Sequence, residues 1–308
     1  MVRTTSDGSL RLLSGLSPRG LARCICGAGL VLGSVAAAGL MASCASGPDE
    51  QAIHQSDAQY NLATGLWGEH NVAGAFQHAE EALHLDPDNA QAHYLLGVLY
   101  LFREDYAHAE EHLREALAAN RRLGTAGLPA LDGDVHNTLG VVYIQSNRLP
   151  QAVESLRAAT GDLMYRTPFL AWGNLGWAYF EQHDYTQALL SLQQAVQLQP
   201  GYCSGWYRIG QVDFALAEAG TDASGFAHAE EALTQALENQ TEECQGLQDA
   251  WLLRGRTRDR LGRHEDGIAD LEHCVELHPE TSAGHQCQSL LADSPKGSAV
   301  VKELFAAP

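Results

Sequence analysis

The order of hydrophobic and polar positions in this chain predicts pairs of α-helices, because one pattern returns in successive segments. A bulky residue is followed by Leu-Gly, then by Tyr, and later by a spaced Ala, Leu and Ala. Leu and Tyr lie four residues apart and share a helix face, while Gly and Ala leave room for a second helix. Proline ends the second helix in several segments. The clearest sets are His93, Leu96, Gly97, Tyr100, Ala109, Leu113 and Ala116; His136, Leu139, Gly140, Tyr143, Ala152, Leu156 and Ala159; and Trp172, Leu175, Gly176, Tyr179, Ala188, Leu192, Ala195 and Pro200.

This order resembles the tetratricopeptide repeat, and weaker copies flank the clear ones. The resemblance implies an all-α fold, a right-handed superhelical solenoid of about six helix pairs closed by a C-terminal capping helix. A helical bundle without repeats is the alternative, but it would not return to the same pattern at a fixed period. The expected repeats are 56–89, 90–132, 133–168, 169–202, 203–247 and 248–281, followed by a capping helix at 282–293 and a flexible tail at 294–308.

The N-terminal residues have the organisation of an export signal. Arg19 and Arg23 precede an apolar stretch, and the segment that ends in Ala42-Ser43-Cys44 resembles the bacterial lipobox. Residues 1–43 are therefore expected to be a lipoprotein signal peptide, Cys44 the lipidated residue and 44–55 a tether. Several acyl chains anchor a protein stably, and Ala45 after the cysteine favours the periplasmic face of the outer membrane. An ordinary cleaved signal ending near Ala45 is the alternative.

Charge and composition argue against several functions. The formal net charge of −19 disfavours nucleic acid as a partner, because phosphate binding needs a basic face. No nucleophile elbow, phosphate loop or carboxylate pair stands out, so we expect no catalytic residue, cofactor or small-molecule substrate. His108 and His112 lie four residues apart and could share a metal ion, but scattered surface histidines are the simpler interpretation. An enzyme or metal carrier is the least favoured class.

The cysteines predict disulfides. With Cys24 and Cys26 in the signal and Cys44 lipidated, an even number remains in an exported chain, which allows three pairings. In the repeat interpretation, antiparallel helices of the fifth repeat bring two cysteines to the same end, and the sixth repeat lies beside the capping helix. Free thiols and a zinc site are the alternatives. The predicted pairs are Cys203–Cys244 and Cys274–Cys287.

The tetratricopeptide resemblance also implies a binding groove, lined by the fifth, ninth and twelfth positions of each repeat. In this chain those positions are apolar and aromatic with almost no cations. They lack the Lys, Arg and Asn set with which chaperone-tail binders of the same fold hold a carboxylate. We therefore expect an amphipathic helix or apolar strand as ligand, although some of these residues could pack internally or against the chain's own tail. The predicted groove residues are Tyr60, Trp67, Tyr94, Val98, Leu101, Asn137, Val141, Ile144, Trp177, Phe180, Tyr207 and Phe214.

A closer resemblance rests on three segments: YRTP leading into AWGNLGWAY, QPGYCSGWYRIGQ, and LEHCVELHPETSAGHQC. These are similar to the Tgl and PilF/PilW pilotins, outer-membrane lipoproteins that help the type IV pilus secretin insert and multimerise. The resemblance implies lipid on Cys44, contacts with secretin subunits across the repeats, and the paired cysteines. The insertion at 219–225 and the long leader depart from that family. A scaffold for another envelope complex, such as peptidoglycan enzymes, is the alternative function.

Overall fold

The protein is described by a computed structural model over residues 49–293, with gaps at 125–126, 223 and 239–240. Over these residues every helix or strand assigned is an α-helix, which confirms the predicted all-α fold. The helices are α1 (Glu50–Gly68), α2 (Val72–Leu85), α3 (Ala90–Phe102), α4 (Tyr106–Arg122), α5 (Leu131–Gln145), α6 (Leu149–Gly161), α7 (Pro168–Glu181), α8 (Tyr185–Leu198), α9 (Cys203–Glu218), α10 (Gly225–Glu238), α11 (Glu242–Gln245), α12 (Gln248–Arg260), α13 (His264–Leu277) and α14 (Ser282–Asp293).

The described part of the chain divides into an N-terminal unit, which ends at Leu131, and a C-terminal unit, which begins at Asp132. In the N-terminal unit α1 packs on α2 and α3 on α4. In the C-terminal unit α7 pairs with α8, α9 with α10, and α12 with α13, while α14 lies against α13. Each predicted repeat therefore holds one helix pair, and α14 occupies the residues for which a capping helix is predicted.

The first helix begins earlier than the sequence interpretation placed it. The sequence predicts a tether that extends to residue 55, but α1 already includes residues 50–55. The reason is an N-cap: the Asp49 side chain accepts a hydrogen bond of 2.7 Å from the backbone N–H of Ala52. Glu50 in the first turn adds a favourable interaction with the helix dipole.

Glycine at the eighth position of a repeat sets the closeness of each helix pair. A β-carbon on Gly97 would come within 2.5 Å of the Leu113 Cγ atom, and Gly140 has the same contact with Leu156. Leu113 and Leu156 are fully buried. The leucine of the second helix thus fills the space that a larger residue in the first helix would need.

The turn inside each helix pair uses one residue with a left-handed backbone. In the fourth repeat this residue is His183, and the N–H of Asp184 then donates to the carbonyl of Tyr179 at 2.9 Å. This bond gives a hydrogen-bond donor to a carbonyl in the last turn of the helix, which has no partner within the helix. The left-handed residues of the six turns are His70, Glu104, Asn147, His183, Gly220 and Gly262.

Two disulfides brace the C-terminal unit. They join Cys203 to Cys244, with the Cα atoms 5.6 Å apart, and Cys274 to Cys287, at 6.3 Å. These are the pairs expected from the repeat arrangement. The first links the start of α9 to α11, and the second ties α14 to the last repeat, whose apolar side α14 covers with Leu291.

A network of ion pairs also holds the last repeat. Arg254 donates to both carboxylate oxygens of Asp270, at 3.0 and 2.8 Å, and both residues are buried. Arg258 bridges Asp270 to Glu230 with two bonds of 2.8 Å. Arginines replace the usual Leu and Tyr of the repeat here, and each is neutralised by a carboxylate of a neighbouring helix.

Candidate protein-binding face

The first helices of the C-terminal unit carry a stack of aromatic side chains. On α7 the rings of Trp177 and Phe180 lie parallel, with centroids 5.0 Å apart and an interplanar angle of 20°. The Phe180 ring is 5.7 Å from that of Tyr185 at the start of α8. Trp177 and Phe180 are only half-buried, so the stack offers apolar surface to a partner.

Arg208 of α9 lies on this stack. Its guanidinium carbon is 4.5 Å from the Trp177 ring centroid, a cation–π contact between two neighbouring first helices. The Nη1 atom is buried and has no hydrogen-bond partner in the part of the chain that the structure describes. Burial lowers the pKa of the Arg208 guanidinium, with small opposing effects from Tyr202, Tyr207 and Glu181. An arginine nevertheless keeps its proton in a protein, so the face carries a fixed positive charge.

Tyr207, next to Arg208, packs partly against the core between α9 and α10. Burial raises the pKa of its phenol well above the usual range, and the carboxylate of Asp249 adds to the shift. Tyr207 therefore remains a neutral hydrogen-bonding group at any physiological pH.

The polar part of the face lies on α5 and α7. The side-chain amide of Asn174 donates to the Asn137 carbonyl oxygen at 3.0 Å, which fixes the orientation of both amides. Val141 and Ile144 on α5 are half-buried, like the aromatic residues of α7. Val141 and Trp177 occupy the ninth position of their repeats, and Ile144 and Phe180 occupy the twelfth.

Two predicted groove residues are not available as surface. Leu101, at the end of α3, is 8% exposed, and Phe214 on α9 is 7% exposed. The Phe214 ring is covered by Phe226, with centroids 5.5 Å apart at 72°, and by the Arg256 guanidinium carbon at 4.9 Å. Leu101 and Phe214 thus belong to the packed interior. Phe214 is buried because side chains of α10 and α12, which repeat position alone does not reveal, close over it.

The fifth, ninth and twelfth positions themselves carry almost no cations, but Arg208, at another position, places a cation on Trp177, one of the predicted groove aromatics. Counting only the fifth, ninth and twelfth positions of each repeat missed Arg208, which occupies the sixth position beside Tyr207. The signal was present: in helix geometry residues 204, 208 and 211 share a stripe that borders the groove.

In the N-terminal unit the predicted residues form a second aromatic group. Tyr60 and Trp67 of α1 pack partly on the core between α1, α2 and α3. The Trp67 ring meets Phe102 edge-on at 5.2 Å, and the Phe102 side chain is 54% exposed. Tyr94 and Val98 on α3 are half-buried.

The histidines considered as metal ligands have other contacts. His108 bonds the Asp105 carboxylate at 2.7 Å, and His112 places its Nδ1 3.1 Å from Nδ1 of His93. The rings of His108 and His112 both stack on the ring of Tyr100, with centroid distances of 5.1 and 5.3 Å. Within residues 49–293, outside the gaps, no group of three or more His, Cys, Asp or Glu side chains could hold a metal ion.

The lipidation site Cys44, the signal peptide and the tail at 294–308 lie outside the described residues. No helix within the described part is both long and apolar enough to cross a bilayer. A shallow depression of about 630 Å³ opens beside the turn between α5 and α6, lined by Asn147, Leu149, Pro150, Val153 and Gln182. None of the predicted groove residues contributes to it.

Comparison with known proteins supports the repeat assignment. Tetratricopeptide-repeat models match residues 66–126, 169–202 and 248–281. The type IV pilus assembly protein PilF of Pseudomonas aeruginosa is 26% identical over 142 residues, 46% of this chain and 53% of PilF. A Drosophila melanogaster homologue of the BBSome complex member BBS4 is 24% identical over 162 residues, 52% of this chain and 28% of that protein. The chain thus spans about half or less of the curated relatives it matches.

Solved structures show the same fold. P. aeruginosa PilF superimposes with a TM-score of 0.62 at 19% identity and covers 78% of this chain and all of PilF. PilW, described as a widely conserved type IV pilus biogenesis factor, gives 0.61 at 19% identity and covers 75% of this chain and 96% of PilW. The chain therefore contains tetratricopeptide repeats in the matched segments and shares its fold with PilF and PilW.

Proposed function

We propose that this protein is an outer-membrane lipoprotein that binds secretin subunits and promotes assembly of the type IV pilus secretin. The observation that carries the proposal is the half-exposed stack of Trp177 and Phe180 on α7, in a fold shared with PilF and PilW. Tetratricopeptide arrays typically bind other proteins through this side of the repeats.

The chemistry of the face suits a protein ligand. Trp and Tyr are the side chains that most often dominate binding energy at interfaces, since they bury much apolar area with few rotatable bonds. Trp177, Phe180 and Tyr207 supply such area, and the Asn137–Asn174 amide pair supplies polar groups at its border. An amphipathic helix or an apolar strand of an unassembled secretin subunit would cover them.

The anchor gives the proposed binding its location. Acyl chains on Cys44 would hold the repeats at the membrane into which the secretin inserts. The segment from Cys44 to the start of α1 at Glu50 spans at most about 20 Å when extended. Lipidation therefore keeps the first repeats close to the bilayer, where newly exported subunits would be met before they assemble.

The proposal is tested by deleting the gene and scoring secretin monomer against heat-resistant multimer on gels. Wild-type protein should restore the multimer, whereas Trp177→Ala should leave secretin mostly monomeric. Trp206→Ala is the matched control, because the Trp206 indole donates to the Pro200 carbonyl at 2.9 Å and lies outside the predicted groove. Full multimer in the deletion strain would refute the role in secretin assembly.

A second candidate is a general scaffold for another envelope complex, such as one of peptidoglycan enzymes. It is supported by the tetratricopeptide repeats, which typically bind other proteins in assemblies of many kinds, as the match to a homologue of a BBSome complex member illustrates. In that case the deletion would leave secretin multimers intact and change the composition of a different complex.

A further inference from the structure

Four of the six arginines in the last two repeats, 203–247 and 248–281, are neutralised by carboxylates. Arg254 and Arg258 contact Asp270, Arg260 contacts Glu218 at 2.6 Å, and Arg263 contacts Asp266 at 2.8 Å. This is expected in a chain of net charge −19, where acids outnumber bases. Within these two repeats, an arginine without an acidic partner is therefore the exception.

Arg208 and Arg256 are the exceptions. Neither has a carboxylate within 4.0 Å among the described residues, and each guanidinium instead lies on an aromatic ring of α7 or α9. Arg208 also has a buried Nη1 without a hydrogen-bond partner. A buried donor without a partner costs free energy, so such groups are rare in folded proteins unless a ligand satisfies them.

We propose that the face formed by α7, α9 and α12 binds a peptide segment in which an acidic side chain neighbours an apolar one. The carboxylate pairs with Arg208, and the apolar side chain packs on Trp177 and Phe180. Arg256 offers a second carboxylate contact one helix further along. The inference rests on the proposed function only in taking this face as the binding site, and it names the chemistry of the bound segment.

The geometry favours a carboxylate for physical reasons. A guanidinium presents parallel N–H donors that match the two oxygens of a carboxylate, and stacking on Trp177 holds its plane in place. Phosphorylated motifs are usually bound by clusters of arginines, and the net charge of −19 repels polyanions. A single carboxylate flanked by apolar residues meets little of that repulsion once it reaches the face.

The same arrangement would provide specificity. A wholly apolar segment could cover Trp177 but would leave the Arg208 cation buried and unpaired, which weakens binding. A strongly acidic segment would be repelled by the protein as a whole before contact. The face would therefore select segments of mixed character over both extremes.

The test is selection of a random phage-displayed 12-residue peptide library on the full chain, purified in detergent and immobilised. Wild-type protein should enrich peptides with Asp or Glu beside aromatic or aliphatic residues. Arg208→Gln should lose the acidic preference, and Arg121→Gln, which removes an exposed arginine of α4, should keep it. Absence of acidic enrichment with wild-type protein, or recovery of no binding peptide, would overturn the inference.

A second measurement does not depend on how well the variant folds. A selected peptide and its Asp→Asn or Glu→Gln counterpart are titrated against the wild-type chain by calorimetry. The amide counterpart should bind about tenfold or more weakly, since a hydrogen bond to a charged group contributes that much. Equal affinity of the two peptides would overturn the inference.

The outcomes separate this inference from the proposed function. If Arg208→Gln captures pilus secretin as well as the wild type does, the carboxylate contact is wrong while the secretin role stands. If acidic-apolar peptides are selected through Arg208 but secretin assembles without the protein, the carboxylate contact stands and the secretin role is wrong.

Discussion

Leu192 of α8 lies against the backbone of Gly176 in α7, so closely that a β-carbon on residue 176 would come within 2.5 Å of the leucine Cγ atom. Leu192 is fully buried, so it has no free space into which to move. Because Trp177 is the next residue along α7, this contact also sets the position of the aromatic stack. Packing of the helix pair and presentation of the binding face are thus coupled.

Gly176→Ala should destabilise the protein by about 1–3 kcal/mol, the usual cost of overpacking a buried contact. Urea denaturation followed by circular dichroism measures the change. Gly65→Ala is the matched control, since a β-carbon at residue 65 would meet no atom within 4 Å. That control should be neutral or slightly stabilising because alanine favours helix over glycine. Equal effects of both substitutions would contradict the packing account.

Glu104→Gly should stabilise the protein by about 0.5–1 kcal/mol. Glu104 has a left-handed backbone with φ 60° in the turn between α3 and α4, a conformation that costs energy for residues with a β-carbon. Gly262→Ala is the converse change at the equivalent turn, where φ is 75°, and should destabilise. Shifts in melting temperature of opposite sign are expected, and shifts of the same sign would show that turn strain is not the cause.

Stability of the N-terminal unit should fall as the pH drops below about 6.5. Burial lowers the pKa of both His93 and His112, and the charge of His93 lowers the pKa of His112 further, since the Nδ1 atoms of the two rings are 3.1 Å apart. The unfolded chain therefore binds more protons than the folded one once the pH falls below the ordinary histidine pKa, and acid favours unfolding. Urea midpoints at pH 7.5 and at pH 5.5, on the order of one unit either side of that value, measure the loss.

The variant that removes both rings, His93→Gln with His112→Gln, should lose less stability over the same pH interval. The urea midpoint of this double variant at neutral pH can differ from that of the wild type, because the comparison is between the changes in midpoint with pH. A double variant with the full pH dependence of the wild type would assign the effect to other groups.

Asp213→Asn should stabilise the C-terminal unit at neutral pH. Burial raises the pKa of the Asp213 carboxyl to about 6, with further repulsion from Asp222 and a partial offset from His228. A raised carboxyl pKa means that the folded state is favoured below the ordinary pKa and loses that advantage as the pH rises through about 6. Removing the charge should therefore contribute on the order of 1 kcal/mol at pH near 7.5, discounted because solvent reaches part of the carboxyl.

Most of the gain from Asp213→Asn should be lost near pH 4, roughly the ordinary pKa of an aspartate, because the folded wild-type carboxyl is then protonated and the unfolded one about half protonated. Glu231→Gln, an exposed change on α10, is the matched control for loss of one negative charge. A gain that is the same at both pH values would point to packing and not to titration.

Much of this fold could be predicted from the sequence because a repeat fixes many contacts at once. The Leu-Gly step in each segment required a close second helix, and Gly176 with Leu192 is that contact. Antiparallel pairing in the fifth repeat placed Cys203 beside Cys244 for the same reason. Local signals outside the repeat pattern were harder to interpret from sequence. The Asp49 N-cap, for example, starts α1 several residues before the first repeat begins.

The candidate face was predicted less completely, because its surface depends on which side chains reach across from neighbouring helices. Repeat position placed Phe180 and Phe214 in equivalent settings, yet Phe226 and Arg256 cover only Phe214. The charge of the face was missed for a related reason. Whether Arg208 finds an acidic partner depends on the side chains that surround it in space, which spacing along the chain does not determine.

The most direct test of the account is a photocrosslinking residue at position 177 of the lipidated protein in its native envelope. A matched probe at Gln151, exposed on α6 and outside the predicted groove, reports non-specific capture. The account predicts that position 177 crosslinks the pilus secretin subunit and that position 151 does not. Crosslinks from position 177 only to other envelope proteins, or equal capture of secretin at both positions, would contradict it.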